Sequence, residues 1–235
     1  MLEVRDLRVA YGPIEVLREV SLKAEAGTTT AVLGANGAGK SSLLRAISGI
    51  APVSSGAILF EGKDVTQVPA HLRAQLGLAH AMEGRRLFRH LSVENNLRLS
   101  WTFGARTVPW ASAVAEVYDR FPILAEKAQV PSGLLSGGQQ QMVIISCTTI
   151  RSPRILMLDE PSLGLAPIIV TQIYSFITDF AQRSGIAIIL AEQMATLALK
   201  VSDRGYVLRR GRIVQEGDSR SFLADSAKTL SASYL

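Results

Sequence analysis

One stretch of this chain decides its fold: Gly34-Ala35-Asn36-Gly37-Ala38-Gly39-Lys40-Ser41, which has the G-x-x-x-x-G-K-[ST] spacing of a phosphate-binding loop. The β-branched and apolar run 28–33 before it predicts a buried strand. The apolar spacing of 42–47 after it predicts a helix that ends near Gly49. Strand, glycine loop and helix are the setting in which this motif binds phosphate, which disfavours the alternative of a glycine turn with a chance lysine.

The loop also assigns individual contacts to a bound nucleotide. Gly37 and Gly39 let the backbone turn its N–H groups around a phosphate, and the helix start adds a partial positive charge there. Lys40 is predicted to reach the β- and γ-phosphates, and the hydroxyl of Ser41 to ligate Mg²⁺. The predicted nucleotide-binding residues of this stretch are Gly34, Ala35, Asn36, Gly37, Ala38, Gly39, Lys40, Ser41 and Ser42.

Length and composition fit one large domain, or a domain with an inserted lobe, of 235 residues. Hydrophobic residues make up 48% of the chain, yet no run approaches the ~18 apolar residues of a membrane-spanning helix. The first residues show no apolar signal segment, and a single cysteine, Cys147, suits the cytosol. Three scattered histidines with one cysteine suggest no zinc site.

The net charge of +5 favours no particular partner. It supports a nucleic-acid partner only weakly, because the basic residues are scattered without interleaved aromatic residues. An anionic membrane face would attract the same charge. Most of the arginines are therefore expected to form ordinary solvated surface.

The first part of the chain shows strand patterns, and the middle shows a helical one. Residues 2–11 and 16–24 predict two strands, and 56–60 and 75–82 predict two more. From about 85 to 134 no strand pattern is visible. Apolar residues there recur on one helix face, at Val114, Val117, Tyr118 and Phe121. The chain is therefore expected to be α/β with a helical insert.

A second strong pattern is a buried strand, 155–158, that ends in Asp159 and Glu160. Such a strand would carry Asp159 to the phosphate loop, where it would hold Mg²⁺ through water. Glu160 would then lie off the strand end and polarise the attacking water. Two solvated acids at a strand end are the alternative, which the pairing with a phosphate loop disfavours.

The remaining elements follow in the order helix, strand, hairpin and helix. They are predicted at 168–180, at 185–191, at 206–208 with 212–214, and at 221–235 with a loose end.

The third pattern is Leu135-Ser136-Gly137-Gly138-Gln139, which opens a helix. A serine and two glycines at a helix start make a second phosphate cradle. Because one chain then has two cradles, the second is expected to bind the nucleotide of another chain. Its predicted binding residues are Ser136, Gly137, Gly138 and Gln139, and a capping serine with a glycine turn is the alternative.

Together these motifs resemble the ATP-binding subunits of ABC transporters over essentially the whole chain, and 135–139 is the most specific part. The resemblance implies an α/β fold: a P-loop NTPase (RecA-like) core, an N-terminal antiparallel β subdomain and an inserted α-helical subdomain. It implies one ABC ATPase domain over 1–235, with the helical subdomain at 84–134. The implied cofactors are ATP and Mg²⁺.

The same resemblance assigns further residues. Tyr11 is expected to stack on adenine, and Glu83 stands where most of the superfamily has a glutamine that touches Mg²⁺ and senses the permease. Residues 162–166 stand at the D-loop, and Gln193 stands at the switch position, where most relatives have histidine. The expected catalytic residues are Glu160, Gln193 and Glu83, and the expected metal ligands are Ser41, Asp159 and Glu83.

Three departures from the superfamily pattern narrow the resemblance: Glu83-Gly84-Arg85-Arg86, the missing aspartate in 162–167, and Glu192-Gln193. All three are similar to the second ATPase subunit of branched-chain amino acid importers. The urea-importer subunit usually keeps glutamine at the position of Glu83, and the lipopolysaccharide-export ATPase usually keeps the histidine. Both stay open as alternatives.

A fourth departure is the β-branched stretch 143–150, where relatives carry a helix rich in alanine and arginine. Propensity alone predicts a strand, since each β-branched residue costs a helix about half a kcal/mol relative to alanine. We nevertheless predict a helix, because the motif at 135–139 must open one. Cys147 takes the place of the usual arginine.

The implied function is ATP binding and hydrolysis that energises uptake of branched-chain or related amino acids. The expected partners are a second ABC ATPase subunit, as a homo- or heterodimer, transmembrane permease subunits and, indirectly, an extracytoplasmic solute-binding protein, but no nucleic acid. The expected location is peripheral, on the cytoplasmic face of the inner membrane. The insert is predicted to form the permease-facing surface, together with Arg85, Arg86, Leu87 and Phe88 before it. The alternative for Leu87 and Phe88 is that they fill the core of the insert.

Two other classes are disfavoured. A non-transport ABC ATPase that acts on DNA or ribosomes usually carries long coiled coils or two ATPase domains in one chain. A P-loop kinase or GTPase would not need the 135–139 motif, and the N-K-x-D motif of GTPases is missing.

Overall fold

The computed structural model describes residues 1–224. Its strands are β1 (Leu2–Tyr11), β2 (Ile14–Ala24), β3 (Thr29–Leu33), β4 (Ser55–Phe60), β5 (Lys63–Asp64), β6 (Leu78–Ala81), β7 (Ile155–Asp159), β8 (Ala187–Glu192), β9 (Arg204–Arg209) and β10 (Arg212–Asp218). Its α-helices are α1 (Lys40–Ile47), α2 (Ala70–Gln75), α3 (Val93–Thr102), α4 (Trp110–Arg120), α5 (Pro122–Glu126), α6 (Gly137–Thr149), α7 (Pro167–Ser184), α8 (Ala195–Lys200) and α9 (Ser219–Ala224).

The N-terminal sheet is antiparallel and has the strand order β2-β1-β4-β5. β1 and β2 form a hairpin in which Leu2 lies opposite Ala24 and Tyr11 opposite Ile14. The buried side chains of this sheet share one apolar core with α1 and with one face of the second sheet. The predicted antiparallel β region is therefore confirmed.

The second sheet has the strand order β10-β9-β3-β8-β7-β6. Its strands β9, β3, β8, β7 and β6 run parallel, and β10 pairs antiparallel with β9. Every residue of β3, β7 and β8 is buried, which explains their unbroken apolar runs. Because parallel strands end at one edge, the loops after β3, β7 and β8 meet there. The predicted P-loop core is confirmed.

The region between residues 84 and 134 contains α3, α4 and α5 and a short 3₁₀-helix, Ser132–Leu134. The apolar face predicted for α4 packs into the core that these helices share with α6 and α7. Phe121, just after α4, lies 5.1 Å from Phe176 of α7 between ring centroids. The helical character is thus as predicted, and the bounds 84–134 stay a prediction.

The β-branched stretch lies in α6, so the helix predicted there is confirmed against local propensity. Val143 and Ile145 are fully buried in the shared core. The threonine hydroxyls are satisfied inside the helix, since Thr148 donates to the carbonyl of Ile144 at 2.6 Å and Thr149 to that of Ile145 at 3.1 Å. Tertiary burial therefore outweighs the propensity cost.

Two predicted strands begin later than expected. The strand predicted at 75–82 begins only at Leu78, because α2 extends to Gln75 and Gly77 then turns the chain with φ +101. The strand predicted at 185–191 begins at Ala187, because Gly185 ends α7 in the left-handed conformation. Of the helix predicted at 221–235, α9 includes the first residues, and 225–235 lie outside the described residues.

Candidate nucleotide-binding site

A cavity of about 320 Å³ lies at the carboxyl edge of the parallel sheet. It is lined by Val16, Asn36, Gly37, Gly39, Lys40, Ser41, Ser42, Glu83, Glu160 and Leu163. The structure therefore brings the phosphate loop together with two acids from distant parts of the sequence. Gly39 is needed there, because its φ is +112 and a Cβ would lie 2.7 Å from Leu17 Cδ2.

The ammonium of Lys40 is buried at the floor of this site. Its Nζ donates to the carbonyl oxygens of Gly34 at 2.7 Å and Ala35 at 3.1 Å. It also lies 3.0 Å from Glu160 Oε1, and both side chains are less than a tenth exposed. All three donors of the ammonium thus face oxygens of this chain.

Asp159 ends β7 beside the start of α1. The hydroxyl of Ser41 donates to Asp159 Oδ1 at 3.0 Å, and Asp159 Oδ2 is buried without a hydrogen-bond partner among the described residues. Burial raises the pKa of Asp159 to about 6, and the nearby charges of Glu83 and Glu160 push it in the same direction. A carboxylate held in this way is suited to a cation.

The donor set fits Mg²⁺ bound together with a nucleotide. Hydroxyl and carboxylate oxygens are hard ligands, and Mg²⁺ usually takes one or two carboxylates plus substrate phosphates. Among residues 1–224 no group of three or more histidine, cysteine or acidic side chains could hold a metal by itself. Phosphate oxygens and water are the usual further ligands of Mg²⁺ in such sites.

Glu160 has a backbone conformation that aims its side chain into the cavity. Its φ is +48, and its N–H donates to the carbonyl of Ala191 at the end of β8 at 2.9 Å. Left-handed backbone is uncommon for a residue other than glycine and is frequent at functional sites. Neighbouring strands thus hold the position predicted for the water-polarising carboxylate.

A carboxylate for which the sequence predicted no role of its own lies behind the site. Glu192 ends β8 and is 2% exposed. Its Oε1 accepts from the N–H of Ser162 at 3.1 Å and from the hydroxyl of Tyr174 at 2.8 Å. Burial, with the charge of Glu192 next, raises the pKa of Tyr174 above its usual range. Glu192 therefore fixes the segment after Glu160. The sequence feature that could have indicated this residue is an acid at the end of an apolar strand.

Gly34, Ala35, Ala38 and Asp159 are predicted site residues that lie next to the cavity lining without being part of it. Gln193 and Tyr11 also lie outside the lining. Gln193 is exposed and follows Glu192, whose carbonyl accepts from the N–H of Gly34 at 3.3 Å. Tyr11 lies at the end of β1 and is 40% exposed. Their roles toward the nucleotide stay predictions.

The motif at 135–139 forms the start of α6, away from the cavity lining. Ser136 and Gln139 make a capping box: Gln139 N donates to Ser136 Oγ at 3.3 Å, and Ser136 N donates to Gln139 Oε1 at 3.0 Å. A Cβ on Gly138 would lie 3.0 Å from Ile169 of α7. Ser136 therefore caps the helix, as the alternative interpretation predicts. The N–H groups of Gly137 and Gly138 lie at the half-exposed start of this helix.

Comparisons with known proteins assign the chain to one family. The family model described as "ABC transporter" matches residues 17–163. The chain is 39% identical to the high-affinity branched-chain amino acid transport ATP-binding protein BraG of Pseudomonas aeruginosa, covering 96% of each chain. It is 34% identical to the probable branched-chain amino acid transport ATP-binding protein LivF of Archaeoglobus fulgidus, covering 95% of this chain and 94% of the other.

A solved structure supports the same assignment. The ATP-binding subunit of an ABC transporter superposes with a TM-score of 0.83 at 26% identity, covering 97% of this chain and 93% of the other. The fold and the loop define the chain as a P-loop nucleoside triphosphatase. It belongs to the ABC transporter family, as an ATP-binding and ATP-hydrolysing subunit.

Proposed function

We propose that this chain is the ATPase subunit of an importer for branched-chain or related amino acids. The similarity to BraG and LivF, at 39% and 34% identity over nearly the whole chain, carries the proposal. Glu83-Gly84-Arg85-Arg86 and Glu192-Gln193 add to it, since both resemble the same group of importer subunits. No observation favours urea, short amides or lipopolysaccharide as the substrate.

The proposed chemistry begins when the γ-phosphate binds at Lys40. The phosphate takes the place of the Glu160 carboxylate on the ammonium, and Glu160 is then free to orient and polarise water. Ser41, Asp159 and Glu83 would hold Mg²⁺, which supplies positive charge to the phosphate oxygens. Gln193 would contact the γ-phosphate through its amide without adding charge.

The second cradle is proposed to act across a dimer. The start of α6 is half-exposed and lies outside the cavity lining, so its glycine N–H groups are available to a nucleotide held by another subunit. The required partner is a second ABC ATPase subunit, identical or similar.

A groove of about 300 Å³ is the proposed docking place of a permease segment. It lies between α6, β6 and the segment after Glu83, and its lining includes Ile50, Arg86, Leu87, Phe88, Cys147 and Arg151. Phe88 is 63% exposed, whereas Leu87 is partly buried against the core. The surface interpretation therefore fits Phe88, and the core alternative fits Leu87.

The proposed location is the cytoplasmic face of the inner membrane, held there by the permease. Within residues 1–224, no helix is both long and apolar enough to cross a membrane. A permease coupled to a solute-binding protein outside the membrane would complete the importer.

Reconstitution tests the proposal. The subunit is assembled with its permease in liposomes, and ATP-driven uptake of labelled leucine is compared with that of urea. We expect leucine uptake that stops with Glu160→Gln. Uptake of urea without leucine would overturn the proposed substrate.

A paired substitution tests the groove. Phe88→Asp should release the subunit from the permease, whereas Phe103→Asp, at a phenylalanine that is 67% exposed beyond the end of α3, should not. Co-purification with the permease is the measurement, and equal retention of both variants would contradict the proposed docking place.

A further inference from the structure

The side chain of Arg85 is not part of the groove, although the next three residues, 86–88, line it. Its φ is +49, and its carbonyl accepts from the N–H of Leu87 at 2.9 Å in a tight turn. Its guanidinium lies on the start of α6: a Cβ on Gly137 would be 2.5 Å from Nη1 and 2.8 Å from Cζ. The same guanidinium approaches Gly164 in the D-loop segment, where a Cβ would lie 3.8 Å from Nη2.

This position puts a cation beside the positive end of a helix. The first N–H groups of α6 carry a partial positive charge, and cations are disfavoured there. Among the described residues, the Arg85 side chain has no hydrogen-bond or ion-pair acceptor. Arg73, by contrast, is buried and donates to four backbone carbonyls. A guanidinium and a helix start that converge without an acid between them are suited to an anion.

The cavity at the phosphate loop does not include this guanidinium. Glu83 lines that cavity, whereas the Arg85 guanidinium lies beside Gly137 and approaches Gly164. An anion held at the start of α6 would therefore also reach Arg85. Under the proposed function, on which this step rests, the start of α6 meets the nucleotide of a second subunit.

We propose that Arg85 is a binding and catalytic residue in trans, which contacts the γ-phosphate held by the phosphate loop of the second subunit. Its planar guanidinium offers five donors in a fork that matches phosphate oxygens. It would bring positive charge to the phosphoryl group as charge develops there, as arginine residues supplied in trans do in other nucleotide hydrolases. Gln193 is uncharged and cannot supply this.

The test separates action in trans from action in cis. In the assembled ATPase dimer, one arrangement carries Lys40→Ala in this chain and an intact loop in the second subunit. The other arrangement keeps Lys40 and replaces the loop lysine of the second subunit. Arg85→Ala is introduced into each, with Arg89→Ala, an exposed arginine that lies beyond the groove, as the matched control.

We expect Arg85→Ala to lower ATP turnover about tenfold or more in the first arrangement and to leave the second unchanged. Arg85→Lys should restore part of the turnover, because the charge remains. An equal loss in both arrangements, a loss confined to the second, or a similar loss with Arg89→Ala would overturn the proposal.

Two controls keep the result specific to Arg85. Circular dichroism melting should be unchanged in Arg85→Ala, and Arg85→Gln replaces it if that variant does not fold. Turnover and leucine uptake by the parent dimer report on the proposed function separately. A parent without ATP-driven uptake would contradict that function, whereas an active parent that tolerates Arg85→Ala would contradict this inference alone.

Discussion

The phosphate loop and the start of α6, which is the proposed second cradle, differ in how far their polar groups are satisfied within one chain. At the phosphate loop, Lys40 is 4% exposed and its ammonium faces three oxygens of the same chain. At the start of α6, Ser136 is exposed and is paired with Gln139, three residues further on. The loop is thus organised by its own fold, whereas the start of α6 is half-exposed, as its proposed contact with a partner requires.

The two elements should therefore respond to different measurements. A change in the loop should alter nucleotide binding or turnover through contacts within one chain. A change at the start of α6 should leave nucleotide binding by the isolated chain intact.

The largest effect is expected for Glu160→Gln. Loss of a general base lowers turnover by about 100- to 10,000-fold, while the glutamine keeps the shape of the site and ATP binding. Steady-state phosphate release measures the rate, and light scattering should detect an ATP-bound dimer. Glu126→Gln, at an exposed glutamate that ends α5, is the control. Parental turnover in Glu160→Gln would show that another residue acts as the base.

Lys40→Ala is expected to weaken ATP binding by roughly 100-fold, because losing one partner of a desolvated charge pair costs about 2–5 kcal/mol. Titration of the isolated chain with a fluorescent ATP analogue measures the affinity. Lys63→Ala removes an exposed lysine from β5 and should bind normally. Unchanged ATP affinity in Lys40→Ala would contradict the assignment of Lys40 to the nucleotide-binding site.

Ser136→Ala tests the start of α6 separately from the phosphate loop, because it removes the cap of α6 and leaves the loop unchanged. We expect a loss of about 1 kcal/mol in the free energy of unfolding. For a chain of this size the melting temperature should fall by about 2–4 °C. ATP affinity of the isolated chain should not change. A loss of that affinity would show that the second cradle acts within its own chain.

The smallest effect is expected for Gln193→His. Histidine keeps a hydrogen-bonding group at this position and adds one that can carry charge. Turnover beside the partner subunit should therefore be kept or raised, with ATP affinity little changed, whereas Gln193→Ala should lower turnover. A histidine variant that binds ATP but no longer hydrolyses it would mean that the glutamine itself is required.

Local patterns predicted those parts of the site that lie on contiguous residues. The loop with its strand and helix is one such part, and the acids that end β7 are another. Spacing predicted them because each residue's place follows from the period of its own element. The position of α6 depended on the 135–139 motif, because its β-branched residues alone predicted a strand.

The sequence by itself determined the fold class and the loop chemistry, since glycine spacing, apolar runs and terminal acids are local properties. Only the tertiary structure decided which oxygens Lys40 meets, that Glu192 holds the segment after Glu160, and that Arg85 turns away from Phe88 toward Gly137. The physical reason is that these contacts join segments far apart along the chain. Their distances depend on how sheets and helices pack, and no periodicity in the sequence encodes that packing.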